Sequence, residues 1–414
     1  PTLVVCPASL VYNWTAELER FAPSLDVCAI VGAKAQRRVQ IAGAAEHNVV
    51  VTSYDLMRRD IDEYAEQDFA RVVLDEAQYI KNPLTQVARA TKRLPAGVRF
   101  ALTGTPIENR LSELWSIFDF LMPGLLGTRE SFAKRFESPV EHAEGDSAAR
   151  LQALVSPFVL RRVKEDVVAD LPEKIEDTVM AQLTGEQRKL YLANQDRIAQ
   201  QVQHREASEF KKDKLKVLAE LTKLRQICCD PRLHYEDYKA GSAKLDTCME
   251  LVHGALDGGH RILLFSQFTG MLDIIGKRLA KEDIAFLKLT GASSKESRAK
   301  MVAQFQAGEV PVFLISLKAG GVGLNLTAAD VVIHYDPWWN VAAQDQATDR
   351  AHRIGQQHAV TVYKLIAKDT IEERIMQMQE SKRDLVNSVL GGDGISSALF
   401  TREDVLALLG GDGR

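Results

Sequence analysis

The sequence predicts an α/β protein built on parallel sheets, and three observations carry that expectation. Short apolar runs recur and stop abruptly: Leu3 to Cys6, Val49 to Val51, Val72 to Leu74, Leu263 to Phe265, Val312 to Ile315 and Val331 to Tyr335. Runs of this length read as strands buried on both faces, the habit of parallel sheets. Each run hands over to hydroxyls, carboxylates or glycines, the chemistry of loops at strand carboxyl ends, where open α/β sheets bind ligands. Stretches of helical period fill the gaps, from Leu111 to about Pro172 and from Gly185 to about Asp230.

The 414 residues are enough for two or three domains, and 46% hydrophobic with 26% charged content is ordinary for a globular protein. No apolar run reaches the roughly 18 residues needed to span a bilayer, and no signal-peptide pattern opens the chain, so a cytoplasmic location with no membrane partner is expected. The five cysteines are odd in number and lack metal-ligand spacing, which argues against a disulfide framework. A net charge of −4 argues against a uniformly basic coat. It leaves room for a local basic groove, because phosphates are met by a patch rather than by the average.

In chain order, Leu3 to Cys6 read as a strand and Ser9 to Phe21 as a capped amphipathic helix. The strand through Val51 ends in Thr52 and Ser53. The next, Arg71 to Leu74, presents Asp75 and Glu76 at its end, followed by Ala77 and Gln78. A strand through Leu102 runs into Thr103-Gly104-Thr105-Pro106. Acidic residues, glycine and proline from Ser138 to Ser147 mark a loop within the first helical stretch. The second helical stretch carries Lys211, Lys212, Lys214 and Lys216. Beyond it come a strand ending in Ser266-Gln267, another from Leu287 to Leu289, and Ser293 as N-cap of the helix that carries Arg298.

The stretch Ser316 to Gln356 then packs several features together: Lys318 and glycines at 320, 321 and 323, the element Asp336-Pro337-Trp338-Trp339-Asn340, and Asp349-Arg350-Ala351-His352-Arg353. Arg350 and Arg353 are three apart and share a face if the segment is helical. A helix follows Ile371 toward Leu390, and Thr401 to Leu406 read as a short capped terminal helix. Each piece has an ordinary reading too. Most glycine-rich loops are turns, an acidic pair after a strand is usually a cap or surface feature, paired tryptophans are more often core, and a lysine run is commonly a solvated face.

Taken together and in order, KAGGVGLNL, DPWWN, DRAHRIGQ, DEAQ and LTGTP resemble the motifs of superfamily-two helicases in the form carried by the Swi/Snf (sucrose-nonfermenting) DNA translocases. The resemblance covers nearly the whole chain, from motif Ia to motif six. It implies two RecA-like lobes with parallel sheets plus helical insertions, the first lobe truncated at its N-terminus. Residues 1–110 would be the partial first lobe and 111–172 its helical protrusion, including Arg161, Arg162 and Lys164. Residues 173–243 would form the crossover and a helical insertion, 244–380 the second lobe, and 381–414 a helical tail.

The resemblance further implies ATP and Mg²⁺. Asp75 would hold the metal and Glu76 would polarise the attacking water, while Arg350 and Arg353 face them across the γ-phosphate. Gly321, Gly323 and Gln346 would also lie on the nucleotide side. Ser9, Thr52, Ser53, Ser266, Gln267, Ser316, Lys318, Trp338 and Trp339 would grip duplex DNA. Thr103, Gly104 and Thr105 would couple the two sites. DNA-bound proteins such as a polymerase or nucleoid proteins are the further partners implied.

One part is missing from the text. A phosphate cradle of the form G-x-x-x-x-G-K-[S/T] occurs nowhere, and Gly291-Ala-Ser-Ser-Lys295 has the wrong spacing. In the resembled family the cradle lies just upstream of motif Ia. The expectation is therefore a motor-core fragment, inactive as an ATPase by itself, from a DNA-dependent ATPase that remodels protein–DNA complexes. The alternatives are a non-catalytic DNA- or protein-binding scaffold and a strand-separating helicase. A two-lobed glycosyltransferase is opposed by DEAQ, LTGTP and DRAHRIGQ.

Overall fold

Among the described residues, eleven strands in two parallel sheets account for most of the apolar runs. The computed structural model describes the chain apart from residues 105–110, 138–146, 161, 163–170, 204–206, 321–323, 339–340, 378–404, 407 and 411–414. The chain divides into two units, one holding Pro1–Leu160 and the other Arg161–Lys382 with Ser396–Arg414.

In the first unit, β1 (Thr2–Cys6), β2 (Val27–Ala29), β3 (Val49–Ser53), β4 (Arg71–Asp75) and β5 (Val98–Leu102) form a sheet in the order β2-β3-β1-β4-β5. All its pairings are parallel, with Val4 opposite Val51 on one side and Val73 on the other. Leu3, Val5, Val50, Val72 and Leu74 enter one core with Tyr54, Tyr64 and Phe69. Out-of-sequence order with parallel pairing requires crossovers, supplied by helices such as Val11–Phe21 and Tyr54–Arg59. The helix Leu111–Leu121 brings Leu114, Trp115 and Phe118 into a smaller cluster with Phe132, Phe136, Leu151 and Val155.

Strand β5 stands at the sheet edge and pairs with β4 alone among the described residues. One of its faces leaves Val98, Phe100 and Leu102 exposed at 51%, 46% and 43%. Apolar side chains in a row on an edge strand are uncommon in a finished sheet.

In the second unit, β6 (Lys174–Gln182), β7 (Ile262–Ser266), β8 (Phe286–Leu289), β9 (Val312–Ser316), β10 (Val331–His334) and β11 (Val360–Lys368) are ordered β6-β11-β10-β7-β9-β8, again all parallel. Successive strand residues point to opposite faces, and the cores divide accordingly. Ile262, Leu264, Leu314 and Ile333 enter one cluster, while Leu263, Phe265, Phe313 and Val332 enter the other. The insertion of expected helical character becomes two helices, Gly185–Gln203 and Ala207–Cys229. A fully buried ion pair, Lys244 Nζ to Glu372 Oε2 at 2.8 Å, ties the start of the helix Ala243–Asp257 to residues just past β11.

Four local expectations are corrected. The first helix begins at Val11 with Leu10 as an uncapped N-cap, so Ser9 does not cap it. Ser294, not Ser293, caps the helix Lys295–Gln306, accepting from the Ser297 amide; the Ser293 hydroxyl accepts from the Thr290 amide instead. Arg350 and Arg353 share no helix face, because the helix Val341–Thr348 stops short of both. The second sheet also takes β6 from a stretch read as a plain crossing point, and β11 from a stretch left without structure. The terminal helix has only residues 405, 406 and 408 within the described set. No described helix is long and apolar enough to cross a membrane, and the five cysteines form no disulfide.

Candidate functional site

Strand β4 ends on the acidic pair, as the sequence requires, and a small network fixes both carboxylates. Oδ2 of Asp75 accepts from the Trp14 indole at 2.8 Å, and Oδ1 accepts from the Glu76 amide at 2.9 Å. The Tyr54 hydroxyl donates to the Asp75 carbonyl at 2.8 Å, and Tyr54 stacks on Tyr79 with centroids 4.9 Å apart. Glu76 has φ +53°, a left-handed conformation costing a non-glycine residue about 1–3 kcal/mol and typical of functional sites. Its Oε2 accepts from Gln78 Nε2 at 2.5 Å, and Gln78 Oε1 accepts from the Thr103 hydroxyl at 3.0 Å. A hydrogen-bonded line thus runs from the end of β5 to Glu76. Gln78 is the link that the motif text did not assign a role.

This donor set fits a divalent cation. Each Asp75 oxygen accepts one N–H and keeps a lone pair, and Mg²⁺ commonly takes one or two carboxylates with water and phosphate oxygens. Among the described residues no three His, Cys, Asp or Glu side chains gather into a metal site.

The hydroxyls expected to grip DNA fall into two sorts. Ser9 is exposed in the turn after β1. Thr52 is fully buried and donates to the Ile30 carbonyl, while Ser53 is 2% exposed and caps the helix Tyr54–Arg59. Ser266 is buried and donates to Asp336 Oδ1 at 2.5 Å, and Ser316 is 3% exposed at the end of β9. Thr52 and Ser266 thus donate within the fold, and Ser53 accepts from the Leu56 amide at the start of the helix Tyr54–Arg59.

Around the DPWWN element the second unit builds a buried polar knot. Asp336 is 1% exposed and accepts from Ser266 and from the Gln267 amide. Burial pushes its carboxyl upward, opposed by the Arg225 guanidinium. Trp338 is half-buried against the core containing Phe305 and Phe313, and its amide donates to Gln344. Behind the knot, His334 donates or accepts through Nε2 with Thr348 at 2.8 Å. Burial holds its imidazole down to about 3.

The DRAHRIGQ segment is a chain of turns. The Arg350 carbonyl accepts from the Leu326 amide at 3.0 Å, and His352 Nε2 lies 2.8 Å from the Pro172 carbonyl. Gln356 saturates its amide: Nε2 donates to Ala329 and Ala351 carbonyls, and Oε1 accepts from the amides of residues 357 and 358. Gly355 at φ +102° lets the chain turn there. The Arg350 and Arg353 side chains are half-buried, as is that of Gln346. Arg298 donates to the Ala319 carbonyl, in the short helix Leu317–Gly320 that carries Lys318. Gly104 is exposed in the bend after Thr103. Thr105, Gly321, Gly323, Trp339, Arg161 and Lys164, with the side chains of Lys211, Lys212, Lys214 and Lys318, lie outside the described residues.

Comparison with known proteins adds the family. The SNF2-related domain matches residues 1–233, and the helicase conserved C-terminal domain matches residues 243–355. An uncharacterized ATP-dependent helicase of Mycoplasma pneumoniae is 39% identical over 410 residues, covering 99% of this chain and 39% of that protein. The TATA-binding protein-associated factor mot1 of Schizosaccharomyces pombe is 34% identical over 470 residues, covering 99% of this chain and 24% of that protein. The chain thus spans well under half the length of either relative. A solved Sulfolobus solfataricus SWI2/SNF2 ATPase core in complex with dsDNA is 38% identical, covering 94% of this chain and 82% of that one, with a TM-score of 0.47. With the family's two domains matched in order along two parallel α/β lobes, the chain belongs to the SNF2-related family of helicase-like proteins.

Proposed function

We propose that this chain is the motor core of a DNA-dependent ATPase that tracks along duplex DNA and displaces proteins bound to it. The observation that carries the reading is the acidic pair at the end of β4, with Glu76 in a strained backbone conformation and linked through Gln78 to Thr103. Glu76 polarises the attacking water, and Asp75 holds the metal. Mg²⁺, when bound there, neutralises phosphate charge. Arg350 and Arg353 offset charge that develops on the transferred phosphoryl group. The Glu76–Gln78–Thr103 line carries the state of the nucleotide site to the loop after β5. Family membership supports ATP use, and the relative named as a TATA-binding protein-associated factor supports a DNA-bound protein as the displaced partner. The site of action is the cytoplasm.

The 414 residues hold no phosphate-cradle motif. The chain as it stands then binds duplex DNA without turning over ATP. DNA affinity rests on phosphate contacts, so it is independent of sequence and falls linearly in log K against log salt. Titration of fluorescent duplexes of unrelated sequence, each over a salt series, checks this. Equal affinities with a steep common slope are expected, and a strong sequence preference or a flat response would refute the backbone-tracking reading.

A further inference from the structure

The helix Ala207–Cys229 carries the lysine run near its start and Arg225 near its end. Arg225 is 2% exposed, so it cannot itself meet a DNA phosphate. Its guanidinium nevertheless reaches two of the loops assigned to DNA. Nη1 donates to the Gln267 side-chain oxygen at 3.2 Å, and Nη2 donates to the Pro337 carbonyl. The plane also lies over the Phe268 ring, 5.8 Å from its centroid. Asp336, next to Pro337, accepts from Ser266 and from the Gln267 amide. The loop after β7 and the loop after β10 are thus pinned to each other and to the inserted helix through one planar fork, the geometry that distinguishes arginine from lysine.

We infer that Arg225 is a positioning residue that holds the Gln267 and Trp338 loops in the register needed to meet successive DNA phosphates. This rests on the translocase reading above and deepens it. Arg225 contributes no phosphate contact, yet its loss uncouples two loops that do. Several contacts then weaken together, and the salt slope falls along with the affinity. A residue that served only the core would change stability and leave the slope where it was.

Arg225→Lys tests this on the full chain. Lysine keeps a positive charge beside Asp336 but cannot reach Pro337 and Gln267 at once. A second variant, Arg225→Met with Asp336→Asn, removes both charges and leaves none uncompensated. Folding is read by circular dichroism and thermal melting, and duplex affinity by fluorescence titration over a salt series. Either folded variant is expected to bind duplex roughly tenfold more weakly, with the log K against log salt slope shallower by about 1 or more, one phosphate's worth. A folded variant with wild-type affinity and slope overturns the assignment. So does unfolding of both variants, since the knot would then serve the core. Failure of the wild-type chain to bind duplex at all instead refutes the translocase reading, and the Arg225 role falls with it.

Discussion

At the scale of single residues, His334 shows how burial sets chemistry. The neutral imidazole packs beside Phe265 and bonds Thr348, with its pKa held near 3 against an ordinary 6.5. The native state therefore stays unprotonated through mild acid while the unfolded chain takes up a proton below about pH 6.5. Stability from this group is complete above pH 6.5 and drains as pH falls toward 3, at up to about 1.4 kcal/mol per pH unit. Glu176, held down to about 2 by Lys174 and Lys364 against its own burial, adds a loss only below about 4.5. Urea unfolding between pH 7.5 and 4.5 should show the His334 slope, and His334→Asn should flatten it. An unchanged slope would contradict the assignment. At this scale the sequence was a partial guide. Asp75 and Glu76 stand where the strand-then-acids pattern puts them. Thr52, Ser53 and Ser266 do not face outward, because a hydroxyl at a strand end reads the same whether it meets a ligand or its own backbone.

Among the elements, the second sheet depends on a buried charge pair rather than on apolar contact alone. Lys244 and Glu372 are both fully buried, and Glu372 also accepts from the Ala367 amide. Lys244 lies 5.1 Å from the Tyr335 ring centroid. Removing one partner strands the other charge, so Lys244→Met should cost about 3–5 kcal/mol in chemical unfolding. Adding Glu372→Gln should restore much of that loss, and a single-variant cost below about 1 kcal/mol would show that the pair does not anchor the sheet. Strands were legible where both faces are buried, as in β1, β3, β7, β9 and β10, since an unbroken apolar run has no other use. Strand β6 hid because it is an edge strand of mostly exposed residues, KIEDTVMAQ. Strand β11 alternates only from Val360 to Tyr363 and then buries Leu365, Ile366 and Ala367 in succession, and β2 is three residues long.

At the scale of the whole molecule, the acidic pair lies on one α/β unit and Arg350 and Arg353 lie on the other. The two-sheet architecture was legible because the motifs recur at strand ends in a fixed order. The bonds of Gln78, Arg225 and Gln356 were not, because each side chain also ties to a residue at least 25 positions away, Thr103, Gln267 and Ala329 in turn. The measurement that bears most directly on the account is DNA-stimulated ATP hydrolysis and duplex affinity, taken together, for Arg350→Ala and Arg353→Ala in the chain fused at its amino end to a phosphate-cradle segment. If these arginines serve phosphoryl transfer, kcat falls roughly 10³-fold or more while duplex affinity at fixed salt stays within a few-fold. A normal kcat with either arginine gone, or a loss of DNA binding that matches the loss of rate, would contradict it.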